Sequence, residues 1–140
     1  MICRELNCLF VHIPKAAGRS IEAFFMQRLG MDRDNDADRQ RLLIIDNPDP
    51  DRGTEKLAHL SAAEYLQCGY LTRQEFASFF KFGFVRNPWA RLVSEYRYRN
   101  YLSHRNFKDF VMHKLPPPGR DNLCRHVITH TDFLYVTGNR

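Results

Sequence analysis

Apolar residues fall in short runs along this chain, and the spacing within each run separates strands from helices. Residues 7–13 are apolar on nearly consecutive positions, which predicts a first strand, central and parallel. Over 18–29 the period changes. Ile21, Phe24, Phe25 and Leu29 recur at helical spacing and make the expected core stripe of a first helix, which Gly30 ends. Residues 31–41 are dense in Asp and Arg without an apolar stripe and read as a solvated loop. Leu42–Ile45 is a short apolar run, expected as a second strand, and Asp46–Gly53 carries two prolines and repeated Asp, expected as a loop. Ser61 with Glu64, and Thr72 with Glu75, have capping-box spacing and predict two short helices across 61–79. A strand over 80–85 and a helix over 88–103 follow. Asn106 caps a further helix over 107–115, and Pro116–Gly119 stops it. The pattern of 120–140 fits no single period.

Strands alternating with helices predict an α/β fold of three layers, α/β/α, around a parallel sheet. Ligands of such sheets bind beyond the carboxyl ends of the strands. Two segments carry chemistry at that place. In the first, a strand runs into Pro14-Lys15-Ala16-Ala17-Gly18-Arg19-Ser20 and then a helix. Small residues at Ala16, Ala17 and Gly18 let backbone N–H groups approach an anion. The helix start adds unpaired N–H groups and a positive dipole end, and Lys15 adds a full charge. The order differs from a Walker A loop, GxxxxGK[ST], since here the lysine precedes the glycine. The plainer alternative is an ordinary strand–helix turn with a surface lysine.

The second segment is Phe82 to Tyr96, again strand, turn, helix. Asn87 suits a helix cap and Pro88 the first helical position. Arg86 stands at the strand end and Ser94 two turns into the helix, and both reach one phosphate if the helix packs back over the strand end. With both segments in view, the chain resembles the sulfotransferases that use 3′-phosphoadenylyl sulfate (PAPS), in the branch of carbohydrate and bacterial enzymes. The resemblance is good over 7–30 and 80–100 and loose elsewhere.

That resemblance implies a P-loop-NTPase-like sulfotransferase core. It implies that Pro14, Lys15, Ala16, Ala17, Gly18, Arg19 and Ser20 hold the 5′-phosphosulfate, and that Arg86 and Ser94 hold the 3′-phosphate. Lys15 would stabilise charge on the bridging oxygen, adenosine 3′,5′-bisphosphate would be the product, and no metal would be needed. Relatives commonly have Thr or Ser where this chain has Arg19, and Ser20 is the nearest hydroxyl. They usually continue for several more helices, so the expectation is one sulfotransferase-like domain over 1–140, shortened at its C-terminus. The acceptor would be a hydroxyl compound such as a saccharide. Its proton needs a base. His59 lies between the two phosphate segments, where some relatives place a catalytic histidine, and a neutral imidazole suits the task near pH 7. Glu64 and Asp46 are the fallbacks. His12 precedes the loop inside a strand and reads as packed. His104, His113, His126 and His130 stand in no motif.

Composition changes this picture little. The chain of 140 residues is 44% hydrophobic and 13% aromatic, which excludes a disordered chain. Its net charge of +5 favours an anionic partner without choosing one. Cys3, Cys8, Cys68 and Cys124 have neither CxxC nor zinc spacing, and no leader or run near ~20 apolar residues is present. The expectation is therefore a reduced, cytoplasmic chain without a membrane span. Trp89, Tyr96, Tyr98 and Tyr101 interleave with Arg91, Arg97 and Arg99. Single-stranded nucleic acid could use such a face. The reading adopted has Leu92, Val93, Tyr96 and Tyr101 in the core, the arginines solvated and no nucleic acid bound. Two rivals to the transferase remain: a non-catalytic nucleotide-binding remnant of the fold, and a P-loop nucleotide kinase. The kinase lacks both its Walker lysine and clustered metal carboxylates here.

Overall fold

The computed structural model describes residues 1–99, 106–117, 119 and 121–136. Tyr101, His104, Pro118 and the end of the helix expected over 88–103 lie outside the described residues. The protein is mixed α/β, with a small open sheet in the order β1 (Ile2–Cys3), β2 (Cys8–Phe10), β3 (Phe80–Phe82). β2 and β3 pair in parallel, Cys8 opposite Phe80 and Phe10 opposite Phe82, and Val11 N–H extends the ladder to Phe82 O at 2.8 Å. β1 pairs with β2 antiparallel. The sheet is thus mixed where a purely parallel one was expected. Only Arg4 to Asn7 separate β1 from β2, and so short a connection permits only an antiparallel pair.

Side chains of β2 alternate between two buried clusters. Leu9, Val11 and Ile13 pack with Leu57, Leu60, Tyr65, Leu71 and Phe133. Cys8 and Phe10 pack with Phe25, Met26 and Leu42. Both faces of the central strand are therefore covered, which explains its unbroken apolar run.

The helices are α1 (Gly18–Arg28), α2 (Asp36–Arg41), α3 (Ala62–Gln67), α4 (Arg73–Ser78), α5 (Pro88–Tyr98), α6 (Phe107–His113), α7 (Asn122–Arg125) and α8 (His130–Leu134). Both capping boxes form at the starts of α3 and α4. Three expectations fail. Residues 36–41 are a helix, not loop: Asn35 accepts from Ala37 N–H, acids stand in the first turn and arginines in the last, and no residue is buried. End effects hold it, so no apolar stripe announces it. Leu42–Ile45 is a turn, not a strand. Leu43 has φ 57°, while Leu42 is buried and its carbonyl accepts from Ile2 N–H at 3.0 Å. Within Asp46–Gly53, Pro50–Arg52 forms a 3-10 turn capped by Asp49. The expected stripe of α1 holds at Phe25, which is buried, and at Ile21 and Leu29, which pack against the same cluster, but not at Phe24. Glu22 and Met26 join the inward face, and Phe24 is 58% exposed. Among the described residues no helix is long and apolar enough to cross a membrane.

Candidate functional site

The extended chain after β2 reaches Ile13 and turns sharply over residues 14–17. Lys15 (φ 66°) and Ala17 (φ 67°) both take left-handed backbone without being glycine, a conformation costing about 1 kcal/mol or more each. Such outlay gathers where a loop must present particular atoms. Here the turn delivers the start of α1. Ala17 is its cap and gives no side-chain hydrogen bond, so the N–H groups of the first turn meet no capping oxygen, although Ser20 N–H reaches Ala17 O at 3.1 Å. A helix start of this kind receives anions. Gly18 is dictated by contact: a Cβ there would lie 1.9 Å from the His12 ring.

The β3 unit is built differently. Asn87 closes the start of α5 with its own side chain, accepting from Trp89 N–H (3.0 Å) and Ala90 N–H (3.2 Å), with Pro88 in the first turn. The groups it presents to the cleft are side chains. Arg86 is exposed and its Nη1 donates to Lys15 O at 3.2 Å, joining the two units, and Ser94 faces the same cleft. Arg91 is buried, against the expectation of solvated arginines. Its guanidinium donates to Pro14 O (3.0 Å), Ile128 O (2.7 Å) and Arg125 O (3.5 Å). Carbonyls satisfy it, and burial pulls it down to about 10 while Glu95 opposes the shift.

The cleft between the units has a volume of about 500 Å³. Pro14, Lys15, Ala17, Gly18, Arg19, Ser20, Arg86, Ser94 and His59 all line it, while Ala16 is buried behind the loop. Arg33 also lines the cleft, as do Arg39 and Lys56, which are paired with Asp36 and Asp46. Lys15 Nζ rests 3.8 Å over the Tyr98 ring. Burial lowers the Lys15 amine from the usual lysine range; Glu95 opposes this and Arg86 adds to it.

A row of three imidazoles crosses one side of this cleft. His12 and His59 meet edge to face with centroids 4.9 Å apart, and His59 and His126 do so at 5.4 Å. A buried carboxylate closes each end. His12 Nδ1 lies 2.6 Å from Glu22 Oε1, and His126 Nδ1 lies 2.6 Å from Glu95 Oε2. Burial alone would raise both carboxyls, but the histidine contacts, with Arg99 added at Glu95, hold them below the usual carboxylate range. His59 in the middle has no carboxylate. Its Nδ1–H donates to Asn122 Oδ1 at 2.7 Å, leaving Nε2 a lone pair. Burial, then the charges of His12 and His126, push its imidazole down to about 2. Arg125 fixes its turn, donating to His59 O from Nε and Nη2.

Of the fallback bases, Glu64 is committed to the Ser61 N–H and to Arg125 (2.6 Å), and Asp46 to Lys56 (2.7 Å). His12 is packed, as read, but under the turn that leads into α1, against Gly18. Glu22, Glu95, Arg91, Tyr98 and His126 escaped the sequence analysis as site residues. Glu22 alone left a trace, a charge inside the apolar period of α1. Among the described residues no group of three or more His, Cys, Asp or Glu is arranged to hold a metal ion.

The chain matches the protein-family model described as "Sulfotransferase family" over residues 1–140. No curated protein and no solved structure matches it.

Proposed function

The chain belongs to the sulfotransferase family, and from that premise we propose that it transfers a sulfuryl group from PAPS to a hydroxyl acceptor such as a saccharide, without a metal. On this reading β2 and β3 are part of a three-layer, P-loop-like sheet, and β1 is an antiparallel addition to it. The supporting observation is the joining of two remote segments: Arg86 donates to the Lys15 carbonyl, and Lys15, Ser20, Arg86 and Ser94 line one cleft.

The residues present suit the donor. The uncapped start of α1, with Gly18 and Ser20, receives the 5′-phosphosulfate. Arg86 offers a planar fork and Ser94 a hydroxyl to the 3′-phosphate. Arg19 is exposed on the cleft wall, where its charge adds to that of the loop without needing room inside it. In the transfer an acceptor oxygen attacks sulfur and the bisphosphate leaves. Positioning and charge stabilisation then dominate, as in phosphoryl transfer. Lys15 leaves the Tyr98 ring to meet the bridging oxygen, where negative charge develops. The acceptor meets the imidazole row through His59, whose Nε2 keeps a lone pair.

Thermal stabilisation without magnesium tests the donor site. Adenosine 3′,5′-bisphosphate should stabilise the protein more than AMP or ATP does, and labelled PAPS should label a hydroxyl compound in a panel of sugars and phenols. Equal shifts with all three nucleotides, or a strict need for magnesium, would favour the kinase. Binding without transfer to any acceptor would favour the non-catalytic remnant.

A further inference from the structure

The three imidazoles of the cleft are not equivalent. His59 is held by a neutral amide and stands between two rings that each carry a carboxylate. A proton arriving on it would be buried with no counter-charge. His12 has its carboxylate but lies beneath the anion loop, where its ring fills the space left by Gly18. His126 differs from both. Its Nδ1 faces Glu95, which is 1% exposed and is also held by Arg99, while its Nε2 is sealed from solvent and has no partner among the described residues. Buried polar atoms without partners are rare, and one in the wall of a cleft invites a functional explanation.

From this arrangement we infer that His126, backed by Glu95, is the base that receives the acceptor's proton, while His59 positions the acceptor by accepting a hydrogen bond from a second donor beside the reacting hydroxyl. The inference rests on the sulfotransferase reading. In the step, the acceptor O–H bond breaks and its proton goes to His126 Nε2. The freed electron pair forms the new S–O bond. The old bridging S–O bond breaks, and its electrons leave with the 5′-phosphate, where Lys15 meets them. The imidazolium that forms lies against the Glu95 carboxylate, which orients the ring and offsets its charge as in other carboxylate–histidine pairs. The proton then passes to solvent. Access runs past Tyr98, which is 63% exposed and leans on the His126 ring with centroids 5.9 Å apart. Lys15 rests on that same ring, so its move to the donor frees Tyr98 and uncovers the base.

Among the described residues the charged and titratable groups around His126 are Glu95 and Tyr98 from α5, Arg99 at the C-terminal cap of α5, His59 from the 3-10 turn Leu57–His59 and Arg125 at the end of α7. The test uses the full chain with labelled PAPS and a panel of hydroxyl acceptors. His126→Gln should lower kcat about 10²- to 10⁴-fold, leave acceptor KM and bisphosphate affinity nearly unchanged, and abolish the acid limb of the kcat profile. Glu95→Gln should move that limb to lower pH. His59→Ala should instead raise acceptor KM about tenfold and keep the limb. Full kcat in His126→Gln, or loss of the acid limb in His59→Ala, would overturn the assignment.

A second readout needs neither a variant nor an acceptor. Nitrogen-15 spectra of the parent near neutral pH should place the neutral His126 ring proton on Nδ1, and finding it on Nε2 would overturn the proposal. Bisphosphate binding by the parent is scored separately. Its absence would remove the donor reading, while the tautomer still decides the state of His126.

Discussion

The β2 loop–α1 unit and the β3 loop–α5 unit have the same plan, a strand end, a short turn and a helix of 11 residues, yet their helix starts are finished in opposite ways. The first leaves its helix start uncapped and strains two backbone positions to aim it. The second closes its helix start with Asn87 and keeps an unstrained backbone, so that in the proposed donor site it would offer the Arg86 and Ser94 side chains. Backbone N–H groups cannot swing away, and they fix an anion's position as well as its charge. A guanidinium on an exposed stem adds affinity and gives up position. The difference suits a nucleotide whose 5′ end reacts and whose 3′ end only anchors. The units meet at the imidazole row, to which α1 contributes Glu22 and α5 contributes Glu95.

The largest effect should come from Lys15→Ala. If Lys15 meets the leaving oxygen as proposed, loss of its charge should lower turnover about 10²- to 10³-fold, with a smaller loss in bisphosphate affinity. A variant with full turnover would reduce the first unit to an ordinary turn. Gly18→Ala attacks the same unit through packing. The added methyl must displace the His12 ring, so urea unfolding should show about 1–3 kcal/mol of destabilisation together with weakened nucleotide binding. A neutral result would mean that His12 does not seat the loop.

Acid should attack the joint between the units. Burial holds His59 at about 2, against an ordinary value of 6.5, so the unfolded chain takes up a proton that the folded one refuses. Stability should be unaffected by this group above about pH 6.5 and fall by up to about 1.4 kcal/mol per pH unit below it, or about 2 kcal/mol at pH 5. Urea midpoints at pH 7 and pH 5 measure the loss, and His59→Asn should remove most of it. The smallest effect belongs to Asn87→Ala. It should cost about 1 kcal/mol as a lost cap and leave the β2 loop intact. If nucleotide binding instead improved, the second helix start would also be an anion site that Asn87 blocks.

What the amino-acid order disclosed was whatever is local. Both strand–turn–helix units, both capping boxes and the phosphate candidates depend on residues within a few positions of one another. What it hid depends on contacts across the chain. Glu22 stood inside the apolar period of α1 without a visible partner, because His12 is ten residues back, across the loop. His126 stood in no motif because Glu95 lies 31 positions earlier. Arg91 read as solvated because the carbonyls that bury it belong to Pro14, Arg125 and Ile128. Leu42–Ile45 read as a strand because burial of Leu42 under β1 demands the same apolar residues as a strand would. α2 was unreadable by periodicity, since it buries nothing.

The contrast between the two units is tested most directly by pairing Arg86→Ala with removal of one phosphate from the ligand. Calorimetry would compare adenosine 3′,5′-bisphosphate with AMP, on parent and variant, without magnesium. A charge-assisted hydrogen bond of roughly 1.5–3 kcal/mol predicts that the variant binds the bisphosphate about 10- to 100-fold more weakly. Its affinity for AMP should match the parent's if, as proposed, AMP engages only the β2 loop. An equal loss for both ligands would contradict the division of labour between the units, and no loss for either would remove Arg86 from the site.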